Sequence, residues 1–235
     1  MTVILRYCLI IPLVLLSTIS WSADNKASVS YLEGTASKSR DGRDWKPISK
    51  GDTLTEGESV KTGAKSRLEL TLPDGSKMRF SEGTNFKVDA LMFKGEERSL
   101  GIDVFFGKAW AKVAKGKKGS RFEVKTPNAV AGVRGTVYRV DVNNDTSSLV
   151  RVYDGEVAVG NLPAKIEDEG RRPKYIAGPS EIPGPHEVTR EEWTYIVKSW
   201  QQIVISPKGI ASKPTSFTIE EDRDEWVIWN QEMDR

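Results

Sequence analysis

Few side chains in this sequence stand where they could do chemistry. His186 is the single histidine and falls in the turn-like Gly184-Pro185-His186. A histidine metal site or a Ser/His/Asp triad therefore has one candidate, which reads as a solvated loop residue. Cys8 is the single cysteine and lies inside an N-terminal apolar stretch. Without it the chain offers no cysteine ligand for zinc, no iron–sulfur cluster and no thiol nucleophile. Paired carboxylates for glycoside hydrolysis would have to come from Glu191 and Glu192 or from the acids of 220–225. That reaction needs two carboxyls facing one cleft across about 5–10 Å, which neighbouring acids on a helix start or a solvated tail do not supply. No nucleophile motif, phosphate loop or calcium loop is present, and no catalytic residue, metal or cofactor is expected. What remains is Arg134-Gly135-Thr136. Arg134 can pair with a carboxylate or cap carbonyls, Thr136 can hydrogen-bond turn amides, and Gly135 suits a backbone conformation or close approach that a side chain forbids. Architecture alone explains all three; a ligand contact by Arg134 is the alternative.

Those residues are carried by the segment 122–142, FEVKTPNAVAGVRGTVYRVDV. Phe122 and Val124 alternate with Glu123 and Lys125; later Tyr138, Val140 and Val142 take one face while Val137, Arg139 and Asp141 take the other. Period-two alternation argues for half-buried strands, and Pro127, Gly132 and Gly135 for a fixed path between them. The surrounding stretch, from about residue 27 to 160, repeats that grammar. SRLELTL at 66–72 sets Leu68, Leu70 and Leu72 on one face, Pro73-Asp74-Gly75 turns it, and Met78 and Phe80 continue inward. Leu149 to Tyr153, Asp154-Gly155 and Glu156 to Val159 repeat the pattern, and Asp-Gly between alternating runs signals a tight turn. Residues 85–89, 100–106 and 108–113 supply further strands, the last two meeting at Gly107. Many short, evenly spaced strands predict an all-β domain, a compact solenoid or a sandwich. The two Asp-Gly units, about 80 residues apart, suggest a pseudo-repeat.

The charges nearly balance, 35 Lys and Arg against 33 Asp and Glu, but they are unevenly placed. Lys108, Lys112, Lys115, Lys117, Lys118, Arg121 and Lys125 crowd one stretch, and seven acids crowd residues 220–235. Such runs can steer an oppositely charged surface or simply be a solvated loop and a solvated tail. Lys115, Lys117 and Lys118, with Trp226 and Trp229 of the tail, form the possible partner surface. Little aromatic surface interleaves the lysines, so nucleic acid is not an expected partner.

Beyond Asn161 the composition changes. Residues 161–188 read as a linker or wrapping loop, with five prolines. Thr189-Arg190-Glu191-Glu192 makes a capping box. Trp193, Ile196, Val197, Trp200, Ile203 and Val204 then fall on one helical stripe, predicting a helix that stops before Pro207. In the tail Trp226, Trp229 and Met233 share a helical face, so a short helix is expected there, docked as a clamp or free to anchor a partner. Residues 189–235 are thus expected to be a helical extension of the β domain. At the other end, Arg6, the apolar run 7–19 and small residues Ser20 and Ser22 read as a secretory signal peptide over 1–22. The apolar run is shorter than the roughly 18–20 residues a spanning helix needs. Export would leave a cysteine-free chain in the periplasm or outside the cell, without disulfides and without a transmembrane segment.

Four pieces in order carry a family resemblance. Gly51-Asp52-Thr53-Leu54 with Gly57 to Thr62 resembles the opening of FecR domains. Ser66 to Leu70 with Leu72-Pro73-Asp74-Gly75-Ser76 is similar to their next strand and turn. Phe122 to Thr126-Pro127 with Val133-Arg134-Gly135-Thr136 to Val140 resembles their most diagnostic stretch, and Val152-Tyr153-Asp154-Gly155 to Val159 their closing pair. The resemblance implies an extracytoplasmic all-β module and not an enzyme. Namesakes of the family relay iron-siderophore signals to a sigma factor. Here only six residues precede the apolar stretch, so no cytoplasmic sigma-factor-binding segment is expected, and iron sensing is not carried over. The expectation is an exported, non-catalytic binding or scaffold module engaging an envelope protein or glycan. The alternative is a periplasmic sensor acting with a separate transducer. Glycan binding through exposed aromatics would require Trp45 or Trp110 on an open surface.

Overall fold

The computed structural model describes residues 25–94, 97–116, 120–133, 135–161 and 193–235. The stretch read as a signal peptide, Lys117, Lys118, Arg134, His186, the expected capping box and nearly all of the expected linker lie outside the described residues.

The chain shuttles between two sheets. β1 (Ala27–Glu33) starts in the front sheet; β2 (Ala36–Ser39) and β3 (Lys46–Pro47) pair in the back sheet. β4 (Thr53–Leu54) returns to the front beside β1, and β5 (Ser59–Thr62) joins β2 in the back. β6 (Arg67–Thr71) and β7 (Lys77–Phe80) form a front hairpin through the Asp74-Gly75 turn. β8 (Asn85–Lys94) pairs in the back with the first part of β9 (Glu97–Lys112). β10 (Arg121–Lys125), parallel to β9, and β11 (Val130–Val133) stay in the back. β12 (Val137–Val142) and β13 (Ser148–Asp154) form a second front hairpin. β14 (Glu156–Gly160) and β15 (Thr194–Lys198) pair in the back, and β16 (Gln201–Ile205) and β17 (Thr215–Ser216) close the front. The single described helix is α1 (Glu225–Asp234).

The front sheet runs β4-β1-β6-β7-β9-β12-β13-β16-β17 and the back sheet β3-β2-β5-β8-β9-β10-β11-β14-β15. β9 belongs to both: residues up to Phe106 pair with β8 and β10, and residues from Gly107 pair with β7 and β12. Alternation explains the core. Leu68, Leu70, Met78, Phe80, Tyr138, Val140, Val150 and Val152 from the front meet Val60, Phe86, Val88, Ile102, Val124, Val157 and Val159 from the back in one buried cluster. Phe80 and Phe86 stack at its middle, ring centroids 3.6 Å apart. The domain is all-β, as its periodicity predicts.

Two expectations are corrected. The helix predicted over 189–204 is strand where it is described: β15 adds to β14 in the back, the chain turns at Ser199-Trp200, and β16 adds to β13 in the front. Val197, Ile203 and Ile205 are fully buried while Ile196 and Val204 are about half exposed. The apolar pattern is therefore period two on each side of the corner, and only the corner makes it mimic a helical stripe. β-branched residues favour strand, and without β15 and β16 the edges of β14 and β13 would be left open. The second correction concerns Asp154-Gly155. It is not a hairpin turn but a corner where β13 of the front becomes β14 of the back, whereas Asp74-Gly75 closes a true hairpin. The two units are not equivalent, and the pseudo-repeat falls with that.

Candidate functional site: the charged outer face of the front sheet

On the outer face of the front sheet, register aligns one side chain from each of eight strands. Tyr31, Glu69, Arg79, Trp110, Arg139, Arg151, Gln202 and Thr215 stand opposite one another in sequence across β1, β6, β7, β9, β12, β13, β16 and β17. Outward positions of an antiparallel sheet are ordinarily solvated. Here Glu69, Arg79, Trp110 and Arg139 are buried, because residues 217–235 lie over them.

The covering segment binds through carboxylates. Arg139 and Arg151 face each other directly, a like-charge pair that repels. Asp222 resolves it: its Oδ1 accepts from Arg139 Nη1 at 2.9 Å and from Arg151 Nη1, and its Oδ2 accepts from the Tyr153 hydroxyl. Arg139 also grips Asp141 with Nε and Nη2, at 2.8 and 2.7 Å. Burial alone would lower the Arg139 pKa, but its hydrogen bond to Asp141 and the nearby Asp222 and Asp224 carboxylates raise it. Burial, then the Asp222 contact, pushes the Tyr153 phenol up as well.

α1 is fixed at both ends by the sheet. Asp224 caps its start, accepting from Val227 N at 2.8 Å, and pairs with Lys108 and Arg139. Its last turn holds no basic residue, so a cation favourable to the helix dipole comes from β7. Arg79 donates to the Asn230 and Met233 carbonyls at 3.2 and 3.3 Å and pairs with Asp234 at 2.8 Å. Lys112 Nζ reaches the Asp234 carbonyl and Trp110 Nε1 the Asp234 carboxylate. Between these ends Trp226 and Val227 pack with Trp110, Tyr153 and Phe217 in an aromatic cluster separate from the main core. Trp229 stacks on Trp226, with the Arg67 guanidinium 5.2 Å over its ring. Beside the start of α1 an open groove of about 860 Å³ is lined by Lys65, Arg67, Glu82, Phe106, Lys108 and Glu225 among others.

Glu69 anchors the other side of Arg79, accepting from Nε at 2.6 Å, and also meets Lys77 and Ser30. Burial raises its pKa, but Arg79, Ser30 and Lys77 outweigh that and hold it below the usual carboxylate value. A depressed folded pKa gives stability that is complete above the unfolded pKa, about 4.3, and is lost as pH falls through the folded one. Glu69→Gln should therefore melt lower than the natural protein at pH 7. The gap should narrow between about pH 5 and pH 3, read by thermal melts across that range. A gap constant with pH would rule the ionised Glu69 out as its source.

The motif residues fall elsewhere. Gly51 and Asp52 shape the turn before β4, Asp52 accepting from Ser49 N at 2.8 Å. Asp74 accepts from Ser76 N and Oγ in the β6–β7 turn and pairs with Arg98. Thr126 closes the turn around Pro127, its hydroxyl bonding Ala129 N at 3.1 Å. Gly135, at φ +70°, and Thr136 form the back-to-front corner before β12, the Thr136 hydroxyl donating to Glu156 O at 3.2 Å. It abuts the Asp154-Gly155 corner, where a Cβ on Gly155 would sit 3.1 Å from Gly135 O. These residues build corners and turns spread along the fold and do not converge on one site. A Cβ at Gly135 would meet Lys115 Cα at 3.1 Å and Cγ at 2.6 Å. Gly135→Ala should thus cost about 1–3 kcal/mol, mostly from φ, measurable as a lowered denaturant midpoint with an unchanged m-value.

Lys115 is exposed beside that corner. Trp226, within the tail, is buried against Trp110 and Tyr153, and Trp229 is half-buried. Trp110 is not on an open surface, since α1 covers it, and Trp45 is half-buried with the Lys61 ammonium 4.2 Å over its ring. Sequence reasoning missed Arg79, Arg139, Arg151 and Asp222. The signal was there, because outward-parity arginines and the acidic run at 220–235 are complementary. Lys108 and Lys112, from the basic run that could either meet an oppositely charged surface or stay solvated, bind that same tail. Among the described residues no group of three or more His, Cys, Asp or Glu is placed to hold a metal, and no helix is long and apolar enough to cross a membrane.

No curated protein matches this chain. Two crystal structures of a "putative anti-sigma factor" from Parabacteroides distasonis are similar, at 19% and 18% identity and a TM-score of 0.47 each. Each match covers 67% of this chain and 59% of the solved one, so the chain spans well under two thirds of their length. The FecR protein family model matches residues 58–158. That stretch begins one residue before β5, takes in the shared strand β9 and both adjoining corners, and ends inside β14. Residues 58–158 of this chain are a FecR domain.

Proposed function

We propose that the chain is an exported, non-catalytic FecR-domain module of the cell envelope that works by docking a protein partner, in a signalling or scaffolding role. The observation that carries this reading is the row Arg79-Trp110-Arg139-Arg151 with Tyr153 beside it. Arginine, tryptophan and tyrosine are the residue types that dominate protein-binding energetics, and this face already holds a peptide segment through carboxylates and an indole. The carboxylates that approach the row are paired to cations or cap a helix, an arrangement for holding chain and not for proton transfer. The glycan form of the reading loses weight because α1 covers Trp110 and Trp45 is half-buried under the Lys61 ammonium.

A photo-crosslinking residue in place of Phe106, exposed at the groove mouth, tests the reading in intact envelopes. A discrete, light-dependent crosslink to a protein in the periplasmic fraction is expected. Crosslinks that vanish on digestion of the cell wall would restore the glycan form, and a chain found only in the cytoplasm would overturn export. The FecR domain itself favours a second reading, a periplasmic sensor acting with a separate transducer. A neighbouring sigma factor and TonB-dependent receptor would support it; secretion or cell-wall genes would favour scaffolding.

A further inference from the structure

We infer that residues 217–235 are a built-in, exchangeable occupant of the front sheet, and that the partner docks by laying an acidic, tryptophan-bearing segment of its own along the Arg79-Trp110-Arg139-Arg151 row. The inference rests on the proposed reading that a protein docks here and names the chemistry of what docks. Four observations carry it. The main core closes between the two sheets without any residue of the tail, and the tail's apolar contacts form a separate cluster. The tail hangs from β17, a two-residue strand with both residues exposed, after exposed Ser212 and Lys213. α1 is ten residues long, too short to be a stable helix alone, so its shape is imposed by the face it covers. Besides that apolar cluster its attachment runs through ion pairs, made by Asp222, Asp224 and Asp234.

That last point decides how the exchange works. A bare row would leave Arg139 and Arg151 facing each other with no carboxylate between them, a like-charge pair that repels, and would return the Trp110 and Tyr153 rings to water. The face therefore does not stand open. Replacing one acidic segment by another leaves the number of ion pairs unchanged, so exchange avoids the cost that departure alone would carry and is opposed only by the local concentration of the tethered tail. Specificity follows from the same geometry. A competitor must bring one carboxylate between the two arginines, a second to Arg79, and an indole between them over Trp110 and Tyr153.

The test uses the whole chain with a protease recognition sequence inserted between Lys213 and Pro214. Its probe is a fluorescein-labelled peptide of residues 214–235. The uncut chain should exclude the peptide. Once the insertion is cut, the peptide should exchange in and bind at least about 100-fold more tightly than to the uncut chain, the tether having supplied a local concentration near millimolar. A peptide with Asp222, Asp224 and Asp234 changed to Asn should bind at least about tenfold more weakly, as expected where charge-assisted bonds are lost. An uncut Trp226→Ala chain, loosened in its own tail but whole, should take up some labelled peptide where the natural chain takes none. Failure of exchange in both the cut and the Trp226→Ala chains, or equal binding of the Asn peptide, overturns the inference. So does loss of the β fold whenever the tail leaves, combined with no uptake by Trp226→Ala. An envelope crosslink at Phe106 without peptide exchange would overturn the exchange alone and leave the docking function standing.

Discussion

Asp222→Ala should lower the unfolding free energy by about 3–5 kcal/mol, the usual result of removing one member of a buried ion pair. For a domain of this size that is a fall of roughly 10 °C in melting temperature. Asp222 is 4% exposed and serves three donors at once, Arg139, Arg151 and the Tyr153 hydroxyl. With alanine there, Arg139 keeps Asp141 and Asp224, but Arg151 keeps no carboxylate among the described residues, only the Gln202 hydrogen bond and the Phe217 ring 5.4 Å away, and the two guanidiniums repel. The effect is thus largely that of stranded charge and not of a lost attraction. A double mutant decides between these accounts. Adding Arg151→Ala to Asp222→Ala should recover a good part of the loss, with a coupling energy of about 1–3 kcal/mol. Strict additivity of the two changes would mean that the bridge across the arginines is not what Asp222 provides. Tryptophan fluorescence should report the same variant independently, since Trp226 and Trp110 share the cluster that the tail closes.

The contrast between strands and tail shows what a sequence can reveal on its own. Alternation at 66–72, 76–80, 137–142 and 149–153 names the inward faces correctly, because a side-chain period of two follows from backbone geometry alone. The same alternation marks Glu69, Arg79, Arg139 and Arg151 as outward, and therefore solvated, which the tail overturns. Whether an outward face is covered depends on a segment about 70–150 residues away in sequence, and no local pattern encodes that. The charge runs at 108–125 and 220–235 were visible as two separate asymmetries; that they answer each other is a fact of topology. The misread at 193–204 has a different origin. Two three-residue apolar runs, Tyr195-Ile196-Val197 and Ile203-Val204-Ile205, separated by a corner at Trp200 with φ +63°, produce a helical spacing by accident. The β-branched content of both runs favours strand, in keeping with the structure. The motif around Gly135 was legible as architecture, and the structure puts its described members at corners, where the backbone, more than the side chains, is specified.

Gly107→Ala should be the most damaging single change in the FecR domain. β9 is the strand both sheets share, and the handover occurs at Gly107, where φ is +97°. An added Cβ would lie 2.6 Å from Thr84 Cα and 2.8 Å from Thr84 Cβ. The obstacle is backbone, so no rotamer relieves it. Thr84 cannot retreat easily either: its hydroxyl accepts from Lys108 N, and its amide donates to the hydroxyl of Thr62, which in turn donates to Ser81 O at 2.6 Å. Left-handed strain of about 1–3 kcal/mol and overpacking of about 1–3 kcal/mol add to roughly 2–6 kcal/mol. The corner at Gly135 gives the internal control, since an alanine there presses mainly on the flexible side chain of Lys115. Gly107→Ala should therefore lie at least about 1 kcal/mol beyond Gly135→Ala in matched urea melts. Equal losses would mean that φ alone sets the penalty and that the Thr84 contact yields. A loss at Gly107 confined to the tail, with the core transition unchanged, would mean that the two sheets do not depend on β9 to hold them together.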